Sequence, residues 1–120
     1  HYLFAPLKHA RQDYMVEKAV EELKNSGVEC ILCQDDYICD EVVRKLARMG
    51  VRIPDQMKVA SCHYSRILEN YPVTITSLKF NITELGRRSC QVLLDMIHGK
   101  TVPDKTLLDY EIILKESTKG

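Results

Sequence analysis

Residues 30–60, CILCQDDYICDEVVRKLARMGVRIPDQMKVA, decide how this chain folds. Cys30 to Cys33 is a short apolar run of the buried-strand kind, and a strand is predicted over 29–34. Asp35 and Asp36 follow at once, where a strand must hand over to a helix. From there Ile38, Val42, Leu46 and Met49, with Val43 beside them, form one apolar stripe, while Glu41, Arg44, Lys45 and Arg48 take the opposite face. That spacing predicts a helix over 36–49, supported by Asp40 with Arg44 and Glu41 with Lys45 as i, i+4 pairs. Gly50 can take the left-handed cap that ends it, and Pro54 bars its continuation. An apolar run then predicts a strand over 57–62, so the stretch reads strand, acidic corner, helix, strand.

Working outward, Tyr2 to Ala5 is a strand-like run, and Pro6 to Gln12 reads as a basic turn carrying Lys8, His9 and Arg11. The helix after it sets Val16, Ala19, Val20 and Leu23 on one face, and Gly27 stops it. Alternating strands and helices argue for a parallel sheet covered by helices. Ligands of such sheets bind at the carboxyl ends of the strands. Those ends are Pro6 to Arg11, Gln34 to Asp36 and Ser61 to Tyr64, which gives a functional shortlist from topology alone. After Cys62 the rhythm breaks. VTITSLK reads as a strand after Pro72, and Asn81 with Glu84 approximates a capping box. That box opens a helix expected to turn Ile82, Leu85, Val92, Leu93 and Met96 inward, with Gly99 at its end. Leu108, Tyr110, Ile112 and Leu114 alternate with charged residues, the mark of an exposed or edge strand.

The chain has 120 residues, enough for one small domain with a real core. Lys plus Arg and Asp plus Glu both number 17, so the net charge is zero and no basic footprint for nucleic acid exists. No apolar run approaches the roughly 20 residues of a membrane span, and no signal-peptide pattern opens the chain. Five cysteines, odd in number and scattered, do not form a disulfide framework and point to a reducing cytoplasm. Cys30 and Cys33 have zinc-like spacing, yet residues three apart on a strand face opposite sides, so core packing is the reading adopted and no metal is expected.

Catalysis finds no constellation. Asp35 and Asp36 are adjacent rather than a spaced acid/base pair, no nucleophile sits on a GxSxG elbow, and neither GxGxxG nor a P-loop is present, so no cofactor is expected. A receiver-like signalling domain would also carry an acidic pair at a strand end, but it needs a further Asp ending the next strand, where Ser61, Cys62 and His63 stand. On the residues alone Asp36 has two readings: it caps the helix that follows, or it accepts hydrogen bonds from two vicinal hydroxyls of a sugar.

The DDYIC corner, the helix ending RMG, VRIPDQ and MKVAS resemble the effector-binding core of the LacI/GalR family of bacterial transcriptional regulators. YPVTITSL followed by NITELGRRSCQVLL is similar to the family's P…LTTV…ELGRxAxxLL, and the closing EIILKEST is similar to its ELVxREST. The resemblance covers about three quarters of the chain, from Glu29 onward. It implies a periplasmic-binding-protein-like α/β fragment of a two-lobed domain. Residues 1–72 and 106–118 would belong to the carboxy-terminal lobe and 73–100 to an excursion from the amino-terminal lobe, with the DNA-binding domain absent. Exposed edges left by such an excursion predict a homodimer or strand exchange. The resemblance further implies a small-molecule effector, a sugar or sugar phosphate, with allosteric control of DNA through the absent domain; a transport or chemoreceptor protein of the same fold is the alternative. It assigns effector contact to Asp36, with Asp35 replacing the family's Asn. SCHY stands in place of GFDD, so His63 and Tyr64 are either solvated loop or cleft rim. Lys8 and His9 lie near the family's sugar-stacking aromatic, and are either solvated surface or a preference for an anionic effector.

Overall fold

In a computed structural model of the chain, residues 9–119 are described, their side chains from residue 14 onward. The elements run α1 (His9–Asn25), β1 (Cys30–Cys33), α2 (Asp36–Arg48), β2 (Lys58–Ser61), β3 (Thr76–Phe80), α3 (Ile82–Ile97) and β4 (Tyr110–Ile113), with short 3-10 turns at Arg66–Glu69 and Glu116–Thr118. The order across the sheet is β1-β2-β3-β4. β1, β2 and β3 are parallel, with Ile31 opposite Val59 and Ser61 opposite Ser77, whereas β4 runs antiparallel to β3 and pairs Phe80 with Tyr110. The sheet is therefore mixed, with the antiparallel strand at the edge where the alternation of 108–114 placed it.

The core is built by one face of α2 and the inward residues of β1 and β2. Cys39, Val42, Val43 and Leu46 from the helix meet Ile31, Cys33 and Val59 from the sheet, and Val16 and Val20 of α1 close it from the side. The end of α2 is fixed by Gly50 at φ +67°, with the Gly50 N–H donating to the Ala47 carbonyl and the Val51 N–H to that of Leu46. This double bond pattern satisfies carbonyls that the helix leaves open, and only glycine adopts that φ without strain.

Three local readings need correction. Residues 9–12, expected in a turn, already belong to α1, while Tyr2 to Lys8 lie outside the described residues. The Asp40–Arg44 pair forms at 2.9 Å, but Lys45 turns to Glu21 of α1 at 2.8 Å instead of to Glu41, because α1 packs beside α2 and lays its acidic side there. Cys33 is buried and Cys30 exposed, as opposite-facing positions must be, so Cys30 and likewise the exposed Cys90 contribute nothing to the core; all five thiols are free. Leu32 on the same face as Cys30 is also open, and no helix among the described residues covers that side of β1.

The largest departure is α3. Its apolar periodicity is real, yet no residue of the helix is buried, and it packs on no other helix or strand among the described residues. Ile82, Leu85, Leu93 and Met96, expected inward, are all exposed. With β3, β4 and α3 projecting, the chain measures 57 × 30 × 24 Å and has a radius of gyration of 17.8 Å, against roughly 14 Å for a compact domain of this length.

Candidate functional site

The carboxyl ends of β1 and β2 meet at one corner. Asp35 has an extended backbone (φ −143°, ψ 175°) and its carboxylate accepts from the Ile38 N–H at 2.8 Å, which makes it the N-cap of α2. The cap reading of Asp36 therefore falls. Asp36 is the first residue of the helix proper and is only 6% exposed. A buried carboxylate needs partners, and it has them: His63 Nδ1 lies 3.5 Å from Asp36 Oδ1. Burial is the largest influence and pushes the Asp36 pKa up, but the Ser65 hydroxyl, the residue's own backbone N–H and His63 together outweigh it and hold the carboxyl below its ordinary value. Asp36 is thus ionised at neutral pH.

His63 is placed by the backbone as well as by Asp36. The Ser61 hydroxyl donates to the His63 carbonyl at 2.8 Å and accepts from the His63 N–H at 3.2 Å, pinning the turn that leaves β2. On its other side the imidazole stacks on Phe80, with centroids 6.3 Å apart. Tyr64 turns its hydroxyl to Glu69, which raises the phenol pKa, and its ring lies under the Lys115 ammonium at 5.1 Å. Tyr71 fastens the loop between β2 and β3 to α2 by donating to the Asp40 carboxylate.

His63, Tyr64, Phe80 and Tyr110 line a cleft of about 700 Å³ between the corner and the start of α3. Asp36 is not among its lining residues; it lies behind His63. Of the six sequence candidates, then, the structure joins Asp36, His63 and Tyr64 at one corner, and gives Asp35 to helix capping. Lys8 lies outside the described residues, as does the side chain of His9. Phe80, Tyr110 and Ser65 escaped sequence reasoning. Phe80 carried a usable signal, since it ends β3 and the strand-end rule applies to that strand as to the first two. Among the described residues, no group of His, Cys, Asp and Glu is arranged to hold a metal ion, and no helix is long and apolar enough to cross a membrane.

A family profile described as the periplasmic binding protein-like domain matches residues 2–118. The HTH-type transcriptional repressor MelR of Bacillus subtilis is 23% identical over 108 residues, covering 89% of this chain and 31% of its own. The chain thus spans about a third of that repressor's length. Among solved structures, the transcription regulator CcpA of Lactococcus lactis superposes with a TM-score of 0.82 at 22% identity, over 89% of this chain and 40% of the other. A lac repressor dimer bound to operator and the anti-inducer ONPF gives 0.77 at 19%, over 88% and 38%.

Proposed function

Since the chain belongs to the periplasmic binding protein-like domain family, in the form found in LacI/GalR regulators, we propose that it is the carboxy-terminal part of the effector-sensing domain of a bacterial transcriptional regulator acting in the cytoplasm. On this reading it is a binding domain, in keeping with its similarity to a transcriptional repressor. Residues 1–72 and 106–118 form most of one lobe, and 73–100 is the excursion belonging to the other. The elongated shape and the uncovered α3 support an excursion, while Ile75, Thr76 and Ser77 share the core and sheet of the first lobe. The effector is a sugar or sugar derivative held in the cleft. By binding one arrangement of the lobes more tightly than the other it biases a DNA-binding domain outside this chain, because only differential affinity shifts such an equilibrium. Exposed apolar residues on α3 and β4 support a homodimer, as does the dimeric state named for the lac repressor structure.

The observation that carries the effector reading is His63 lining the cleft with the buried Asp36 behind it. Asp35 has taken over the capping role, which leaves the buried, ionised Asp36 to pair with His63 and Ser65 of the turn after β2. In this arrangement Asp36 orients His63, and His63 with Phe80 meets the effector. The test is release from operator DNA by a panel of sugars, followed by fluorescence anisotropy in the full-length regulator. Asp36→Ala and His63→Ala should each abolish ligand-induced release while operator affinity is kept. Unchanged release in both variants sinks the assignment. A full-length protein with no operator affinity at all would favour a transport receptor of the same fold.

A further inference from the structure

We propose that Lys115 is a positioning residue for the effector response: through the Tyr64 ring it anchors the turn after β2 to the root of the β3–β4 ribbon, so that a ligand meeting His63 moves the ribbon and not the turn. The inference rests on the effector-binding reading and adds to it the contact that passes the signal on.

The ribbon is held to the first lobe at its root. β3 pairs with β2 at Thr76 and Ser77, and among the described residues no hydrogen bond or ion pair joins 79–113 to 14–72. The chain returning from β4 is fastened at the same place. The Thr76 hydroxyl accepts from the Lys115 N–H at 2.8 Å, and the Glu116 carboxylate accepts from both the N–H and the hydroxyl of Thr74 at 3.1 Å. With Ser117 bonded to Val59 and Thr76, the backbone of 115–117 is a fixed point shared by β2 and β3.

The side chain of Lys115 leaves that fixed point for the effector corner. Its ammonium lies 5.1 Å from the centroid of the Tyr64 ring, within the range of attraction between a cation and an aromatic face. The Tyr64 hydroxyl donates to Glu69, so the ring is held at its far end too. Lys115 itself does not line the cleft, whereas His63 and Tyr64 do.

These two residues are consecutive, and they meet the ribbon at two places. His63 stacks on Phe80 at the far end of β3, and Tyr64 holds Lys115, five residues beyond Tyr110, the strand partner of Phe80. A tilt of the ribbon about its root leaves Lys115 where it is and carries Phe80 away from His63. The Tyr64 contact therefore keeps the turn in place while the stack opens. Without it the turn is free to yield to a ligand at His63, and binding is uncoupled from the tilt.

The test uses the full-length regulator as wild type, as Lys115→Met, which keeps the apolar stem and removes the charge, and as Lys115→Arg, which keeps the cation; Lys115→Gln replaces the first if it does not fold. Without ligand, hydrogen exchange at 63–66 should be about threefold faster in Lys115→Met, unchanged in α2 and restored in Lys115→Arg. Glucose, galactose, ribose and lactose serve as probes. A sugar that binds the wild type in calorimetry without DNA should bind Lys115→Met with similar affinity, while the sugar-induced change in operator affinity falls about fivefold or more. Unchanged exchange at 63–66, or an undiminished sugar response, overturns the anchor and leaves the sensing reading standing. Binding of none of the four to the wild type counts against the sugar reading, and the exchange result alone then decides the anchor.

Discussion

Ser117 and Ser77 are two buried hydroxyls with opposite surroundings, and replacing each by alanine should move stability in opposite directions. Ser117 is fully buried; its Oγ donates to the Val59 carbonyl at 2.6 Å and accepts from the Thr76 N–H at 2.9 Å. It thereby ties the closing 3-10 turn to β2 and β3 at the point from which β3 and β4 leave for the cleft. Ser117→Ala strips a partner from two buried backbone groups. Each orphaned group costs about 1–3 kcal/mol, and since a carbonyl tolerates loss better than an N–H, the sum is roughly 2–4 kcal/mol. For a 120-residue chain, with roughly 6–18 kcal/mol in total, that is a large fraction. It corresponds to a fall in melting temperature of roughly 8–16 °C. Ser77 is 1% exposed and its Oγ has no partner among the described residues. Ser77→Ala removes an unsatisfied buried hydroxyl and should leave stability unchanged or raise it by about 1 kcal/mol. Urea denaturation followed by circular dichroism, with similar slopes for both variants, measures the two differences. A Ser117→Ala loss below about 1 kcal/mol, or a Ser77→Ala loss above it, would refute the hydrogen-bond bookkeeping.

Two further outcomes are expected. Asp35→Ala should cost about 1 kcal/mol as the loss of a helix cap, whereas the contribution of Asp36 should depend on pH. The Asp36 pKa is lower folded than unfolded, so its stabilisation is present above the unfolded value and is lost as pH falls through the folded one. The stability gap between wild type and Asp36→Asn should accordingly shrink on acidification below about pH 4, and a gap constant with pH would contradict the pairing with Ser65 and His63. Light scattering of the 120-residue chain should report at least twice the 13.8 kDa monomer mass, because Leu85, Leu93, Met96 and Ile97 of α3 are left in water; a monodisperse monomer at micromolar concentration would count against dimerisation.

The parts of the fold legible in the sequence are those fixed by neighbours along the chain. The stripe of α2, the glycine that ends it and the asparagine that opens α3 all act within a few residues, and each emerges where its spacing placed it. What depends on distant packing was not legible. Glu41 and Glu21 are equally acidic, and only the placement of α1 beside α2 decides which of them Lys45 meets. The periodicity of α3 reports that a face is apolar without reporting that anything covers it, so the inward assignment of Leu85 and Met96 followed from the pattern and failed in the structure.

The acidic corner shows the same division at the scale of one residue. Two adjacent aspartates are chemically identical, and a capping rule read from sequence cannot choose between them when both precede an apolar helix. The choice is made by backbone dihedrals: the extended Asp35 can reach the Ile38 N–H, and Asp36, already helical, cannot serve that role. Once Asp35 is spent on the cap, the buried Asp36 must be satisfied from elsewhere, and the turn after β2 supplies His63 and Ser65. The turn is held against that corner by the Ser61 hydroxyl on one side and by the Phe80 ring on the other. Phe80 is thereby linked through the stacked His63 ring to the first turn of α2. Under the proposed effector-binding role, a ligand that displaced the His63 ring from Phe80 would also alter a partner of the buried Asp36 carboxylate.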